Sequence, residues 1–97
     1  MNDGLTNTYF MEQSSLVARR SDQIKIEYRN EIKKIARVTD YAKFLNLVLQ
    51  RFDELAGRPL KFTYVDADRD VISISNDCDL EEALDQVPLG QTLKIFI

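Results

Sequence analysis

From Ile24 onward, apolar residues recur with a period of two: Ile24, Ile26 and Tyr28 alternate with Lys25, Glu27 and Arg29. This is the signature of a strand with one buried face, and it turns Lys25 away from the core. Asn30-Glu31 separates this run from a second, Ile32 to Val38, and predicts a tight hairpin although the favoured Asn-Gly pair is absent. In the second run Lys33 and Lys34 are adjacent and Ile35 is out of step with Ile32. That irregularity predicts a bulge or an exposed edge strand, where lysines discourage unwanted pairing.

The period then lengthens. Tyr41, Phe44, Leu45, Val48, Phe52 and Leu55 recur mostly at spacings of three and four, predicting a helix capped by Thr39 and ended by Gly57 and Pro59. Alternation returns in Leu60, Phe62 and Tyr64 and again in Ile72 and Ile74, with Asp66-Ala67-Asp68-Arg69-Asp70 as the turn between two strands. Asn76 or Asp77 is placed to cap a short helix carrying Leu80, Ala83, Leu84 and Val87, closed by Pro88 and Gly90. Thr92 to Ile97 reads as a last strand. The order ββαββαβ predicts an α+β fold of the ubiquitin-like or β-grasp kind, a mixed sheet with two helices. The first 22 residues are rich in Asn, Thr, Ser and Gln without a sustained period, so 1–22 is expected to be a flexible or loosely docked extension and 23–97 the domain.

Length and composition fit this picture: 97 residues with 44% hydrophobic content suffice for one core. The formal net charge of −3 argues against general nucleic-acid binding. That total hides an asymmetry. Between Arg19 and Arg37 seven basic residues face three acids, whereas between Phe62 and Gln86 eight acids face Arg69 alone. A single cysteine, Cys78, gives no intramolecular disulfide, and no signal peptide or run of membrane-spanning length is visible. A reducing, cytoplasmic setting without membrane contact is expected.

The segment from Phe62 to Ala83 has an aromatic strand ending in Asp66, alternating acids at Asp66, Asp68 and Asp70, a second strand, and the helix start Asn76-Asp77-Cys78-Asp79-Leu80-Glu81-Glu82-Ala83. In this it resembles the acidic, OPCA-type motif of the PB1 (Phox and Bem) family of interaction domains. Lys25 in Ile24-Lys25-Ile26 is similar to that family's first-strand lysine, and Lys33-Lys34 in Glu31-Ile32-Lys33-Lys34-Ile35 to its second-strand basic pair. Family members carry an acidic face, a basic face or both. The resemblance implies that Asp66, Asp68 and Asp70, with Asp77, Asp79, Glu81 and Glu82 as secondary members, meet Lys25, Lys33 and Lys34 of the next molecule. It thus implies a head-to-tail homo- or hetero-oligomer of PB1 domains that scaffolds a signalling, autophagy or trafficking complex. Two departures weaken the acidic turn: Ala67 stands where the family often has an acid, and Arg69 where it often has glycine.

Other readings of the same residues fit less well. Asp66, Asp68 and Asp70 fall at the first, third and fifth positions of an EF-hand-like loop, but Val71 replaces the glycine and Asp77 the bidentate glutamate, so no metal is expected. The chain has no histidine, and Cys78 lies between Asp77 and Asp79, where negative charge opposes thiolate formation. No enzyme activity and no cofactor are expected. A ubiquitin-like modifier would end in a Gly-Gly tail, which Lys94-Ile95-Phe96-Ile97 does not supply. A ubiquitin-like recognition domain for an unrelated partner is the alternative.

Overall fold

A computed structural model of the chain describes residues 20–97. The expected extension, 1–22, therefore lies outside the described residues except for its last three. Of these, the Asp22 carbonyl accepts the Arg37 N–H at 2.8 Å and the Ser21 hydroxyl oxygen accepts from the Thr92 hydroxyl at 2.9 Å.

The elements are β1 (Gln23–Tyr28), β2 (Glu31–Ala36), α1 (Tyr41–Arg51), a 3-10 turn (Asp53–Leu55), β3 (Phe62–Val65), β4 (Val71–Ile74), α2 (Asp77–Asp85) and β5 (Lys94–Phe96). The five-stranded sheet has the order β2-β1-β5-β3-β4. β1 and β5 pair in parallel and the other neighbours are antiparallel, which is the mixed ubiquitin-like β-grasp sheet that the element order predicts. Both helices cover one face. Ile24, Ile26, Ile35, Phe62, Tyr64, Ile74 and Ile95 point into a single core with Phe44, Val48, Leu80, Ala83 and Leu84, where the Phe44 and Phe62 rings meet edge to face at 4.9 Å.

Several boundaries differ from the sequence expectation, each for a local reason. The β1–β2 hairpin turns on Arg29-Asn30, not Asn30-Glu31, because both turn residues take positive φ (51° and 67°). This is the two-residue loop whose twist matches paired strands. Tyr28 then pairs with Glu31, and the register runs unbroken to Gln23 and Ala36 without a bulge. Of the two explanations for the out-of-step Ile35, the edge strand is the one found: Ile32 faces outward, 48% exposed, and Ile35 inward.

The cap of α1 is Asp40, one residue after Thr39, and its carboxylate accepts the Lys43 N–H at 3.1 Å. The helix stops at Arg51. Phe52 and Leu55 are nonetheless buried, because Phe52 caps a 3-10 turn that ends at Leu55, whose N–H donates to the Phe52 carbonyl at 3.0 Å, and this three-residue step satisfies the same spacing. Gly57, at φ 80°, redirects the chain afterwards. Asn76 caps α2, its side-chain oxygen accepting the Asp79 N–H at 2.8 Å. β5 is shorter than expected, although the Leu93 carbonyl accepts from Lys25 N–H and Ile97 N–H donates to the Glu27 carbonyl, so pairing with β1 continues past both ends.

Candidate functional site

With the helices on one side, the sheet leaves its other face open. Residues opposite one another in a ladder share a face. Lys25 is opposite Lys34 on β2 and in register with Lys94 on β5, so Lys34, Lys25 and Lys94 form a row across three adjacent strands of the open face. Like charges side by side in a sheet repel. Among the described residues the only ion pair that relieves this row is Lys94 with Glu27, at 3.2 Å. Lys94 is a member that sequence reading misses. Its alternation with Ile95 marks it as outward, but only the parallel β1–β5 pairing sets it beside Lys25.

Lys33 is placed differently from its expected companions. It lies opposite Ile26, on the helix side of the sheet. Its ammonium donates to the Arg51 carbonyl at 2.6 Å, sits 4.8 Å from the centre of the Phe52 ring and is 3.8 Å from the Glu31 carboxylate. The early end of α1 leaves that carbonyl without a helical donor, and Lys33 fills the place.

The acidic turn is a three-residue hairpin loop. The Asp66 N–H donates to the Asp70 carbonyl and the Arg69 N–H to the Asp66 carbonyl, both at 3.0 Å. Arg69 follows in the left-handed region at φ 68°. A turn followed by one left-handed residue is the usual geometry of such loops, which is why glycine suits that position and why arginine there costs about 1 kcal/mol. One oxygen of Asp66 accepts the N–H groups of Asp68 and Asp70, each at 2.9 Å, so this side chain builds the turn from inside. Carboxylate oxygens of Asp66, Asp68 and Asp70 converge to within 4.8 Å of one another. Strands flank the loop, with Val71 opening β4 and Asp77 opening α2, unlike the helix-loop-helix of an EF-hand. Millimolar calcium is expected to leave the melting temperature unchanged, and a saturable upward shift in a thermal melt would identify the three carboxylates as its ligands.

The secondary acids divide into two kinds. Asp77 accepts the Tyr41 N–H at 2.7 Å and so ties the starts of the two helices together. Asp79 accepts both the N–H and the hydroxyl of Ser75. Glu81 and Glu82 are exposed on α2 and have no ion-pair partner among the described residues. Tyr64 reports the field these groups make. Its phenol is pushed above the ordinary value first by burial and then by Glu82, Asp66 and Asp79, so turn and helix act on one place. The strand order sets Lys34 and Lys25, on β2 and β1, across the sheet from the acids of the β3–β4 turn and of α2, which packs against β4, whereas Lys94 on β5 lines one groove with Asp66.

No curated protein matches the chain. Among solved structures, the chain is similar to the cryo-EM structure of the AtNBR1-PB1 filament (L-type), with 23% identity, a TM-score of 0.63, and 78% of this chain and 96% of that one covered. It is similar also to the AtNBR1-PB1 domain, with 18% identity, a TM-score of 0.59, and 75% and 92% covered. The model of the PB1 domain matches residues 21–97, most of the chain, and it covers the lysine row, the acidic turn and α2 alike. The chain therefore belongs to the PB1 family of interaction domains.

Proposed function

We propose that this domain binds other PB1 domains, copies of itself included, head to tail, with the acidic turn of one molecule set against the lysine row of the next. The observation that carries this reading is the placement of two like-charge clusters at different sites of one domain, three converging carboxylates at the β3–β4 turn and, on β1 and β2 at the other side of the sheet, Lys25 and Lys34, which have no ion pair among the described residues. Three converging carboxylates and three lysines abreast are mutually repulsive within the monomer. A neighbour relieves both at once. Because the patches differ, each bound molecule keeps one end free, and the contact propagates. The filament formed by the AtNBR1 PB1 domain, a protein of the same fold, supports such growth. The module acts as a scaffold without chemistry of its own, in a reducing cytosol where the exposed Cys78 stays a thiol.

Single exposed ion pairs contribute only about 0 to 1 kcal/mol, whereas close charge pairs clustered in an interface couple by roughly 1.5 to 7 kcal/mol. Association is therefore expected to weaken as salt rises, since the screening length falls from about 10 Å at 0.1 M to about 3 Å at 1 M. Sedimentation velocity over a salt series reads this directly. A complex indifferent to salt would instead mark an apolar interface and a partner of another kind.

A further inference from the structure

Each charged face contains one residue of the wrong sign. Glu27 is the only carboxylate that the described strands place on the open side of the sheet, in the row next to Lys25 and flanked across the ladder by Ile32 and Phe96. Arg69 is the only cation between Phe62 and Gln86. It sits between Asp68 and Asp70, yet among the described residues it is within 4.0 Å of no carboxylate, and it is exposed. An exposed arginine with acids on either side that pairs with none of them keeps its guanidinium available to a partner. Its left-handed backbone holds this residue where glycine would be the less strained choice.

On the head-to-tail reading, on which this inference rests, an all-negative turn arriving at the lysine row would bring a carboxylate against Glu27. Like charges juxtaposed in an interface are strongly unfavourable. A turn that offers one unpaired arginine avoids that conflict. Glu27 has room for a second donor, because Lys94 approaches one of its oxygens at 3.2 Å and a carboxylate accepts several hydrogen bonds. Guanidinium also suits a carboxylate better than an ammonium does, through its planar fork. We infer that Arg69 of one molecule pairs with Glu27 of the next, and that this pair makes the acidic face of this chain selective for a second copy of the same chain. A partner whose basic face lacks an acid at the place of Glu27 would then gain nothing from Arg69 and would meet its charge.

The test uses two one-ended proteins that form only a heterodimer: Lys25→Ala, which keeps the acidic end, and Asp68→Ala/Asp70→Ala, which keeps the basic end. Arg69→Gln is added to the first and Glu27→Gln to the second, and the four affinities are measured by calorimetry. Arg69→Gln is expected to weaken binding to the Glu27 partner by about three- to tenfold, and to produce no such loss against Glu27→Gln. Exchanging the charges, with Arg69→Glu in the first protein and Glu27→Arg in the second, is expected to restore what Arg69→Glu alone loses. If Arg69→Gln binds both partners equally well or more tightly, Arg69 is only a brake on the acidic turn and the pairing is wrong. If the parent proteins form no heterodimer although both fold by circular dichroism, the head-to-tail reading itself has failed and takes this inference with it.

Discussion

Lys25→Ala and the double substitution Asp68→Ala/Asp70→Ala are each expected to leave the domain monomeric, and an equal mixture of the two is expected to form a one-to-one heterodimer and stop. Lys25 is the middle member of the lysine row, with Lys34 and Lys94 on either side, so its loss removes the cation nearest the centre of the face. Asp68 and Asp70 are chosen over Asp66 because the Asp66 carboxylate holds the turn together through two backbone N–H groups. Truncating Asp66 would confound loss of binding with loss of the loop. Removing one side of a desolvated charge pair in an interface costs roughly 2 to 5 kcal/mol, about 30- to 4,000-fold in affinity. In the mixture the intact turn of the first protein meets the intact row of the second, while both outer ends are disabled. Alanine is used because reversed charges on those outer ends would attract one another and restart growth. Multi-angle light scattering distinguishes the outcomes: either variant alone still assembling, or a mixture of folded proteins remaining monomeric, would rule out two distinct complementary faces.

The fold was legible in the sequence because the periods are clean where the core is built. Ile24, Ile26, Phe62, Tyr64, Ile74 and Ile95 alternate along their strands, and Phe44, Val48, Leu80 and Leu84 follow helical spacing; all are buried. What the pattern leaves open is decided by backbone angles and long-range pairing. Phe52 and Leu55 are three apart, which fits a continued α-helix and a 3-10 turn equally, so the end of α1 at Arg51 is not written in their spacing. The sequence predicts Thr39 as the cap, and the geometry moves the cap one residue on, to Asp40. The acidic turn was legible because its members are contiguous. The lysine row was legible only in part, because its members come from three strands separated by up to some seventy residues, and a one-residue difference in strand face sends Lys33 to the helix side while Lys34 stays in the row. Arg69 shows the reverse case: the family resemblance, with glycine often at this place, implies a turn less able to take a positive φ, yet the backbone takes it, at 68°.

Lys33 and Lys34 are neighbours in sequence, yet substituting them is expected to change different properties. Lys33→Met is expected to destabilise the fold by about 2 kcal/mol while leaving association nearly intact. Its ammonium supplies the donor for the Arg51 carbonyl at 2.6 Å and lies over the buried Phe52 ring, so the substitution strips the end of α1 of a charge-assisted hydrogen bond and a cation–π contact. Methionine keeps the aliphatic stem that packs there, which isolates the ammonium's contribution from that of the chain beneath it. For a domain of this size such a loss corresponds to a melting temperature lower by roughly 8 to 16 °C. Lys34→Met is expected to do the opposite. Lys34 is exposed on the open face, opposite Lys25, with no ion pair among the described residues; removing it relieves a like-charge contact and leaves the melting temperature unchanged or slightly raised. On the proposed head-to-tail contact the same change also removes a cation from the row facing the acidic turn, and is expected to weaken association about tenfold. Thermal melts and sedimentation on the two variants separate the effects. If Lys33→Met weakens association as much as Lys34→Met without lowering the melting temperature, then its ammonium leaves Arg51 to face the partner, and the basic face spans both sides of the β2 edge.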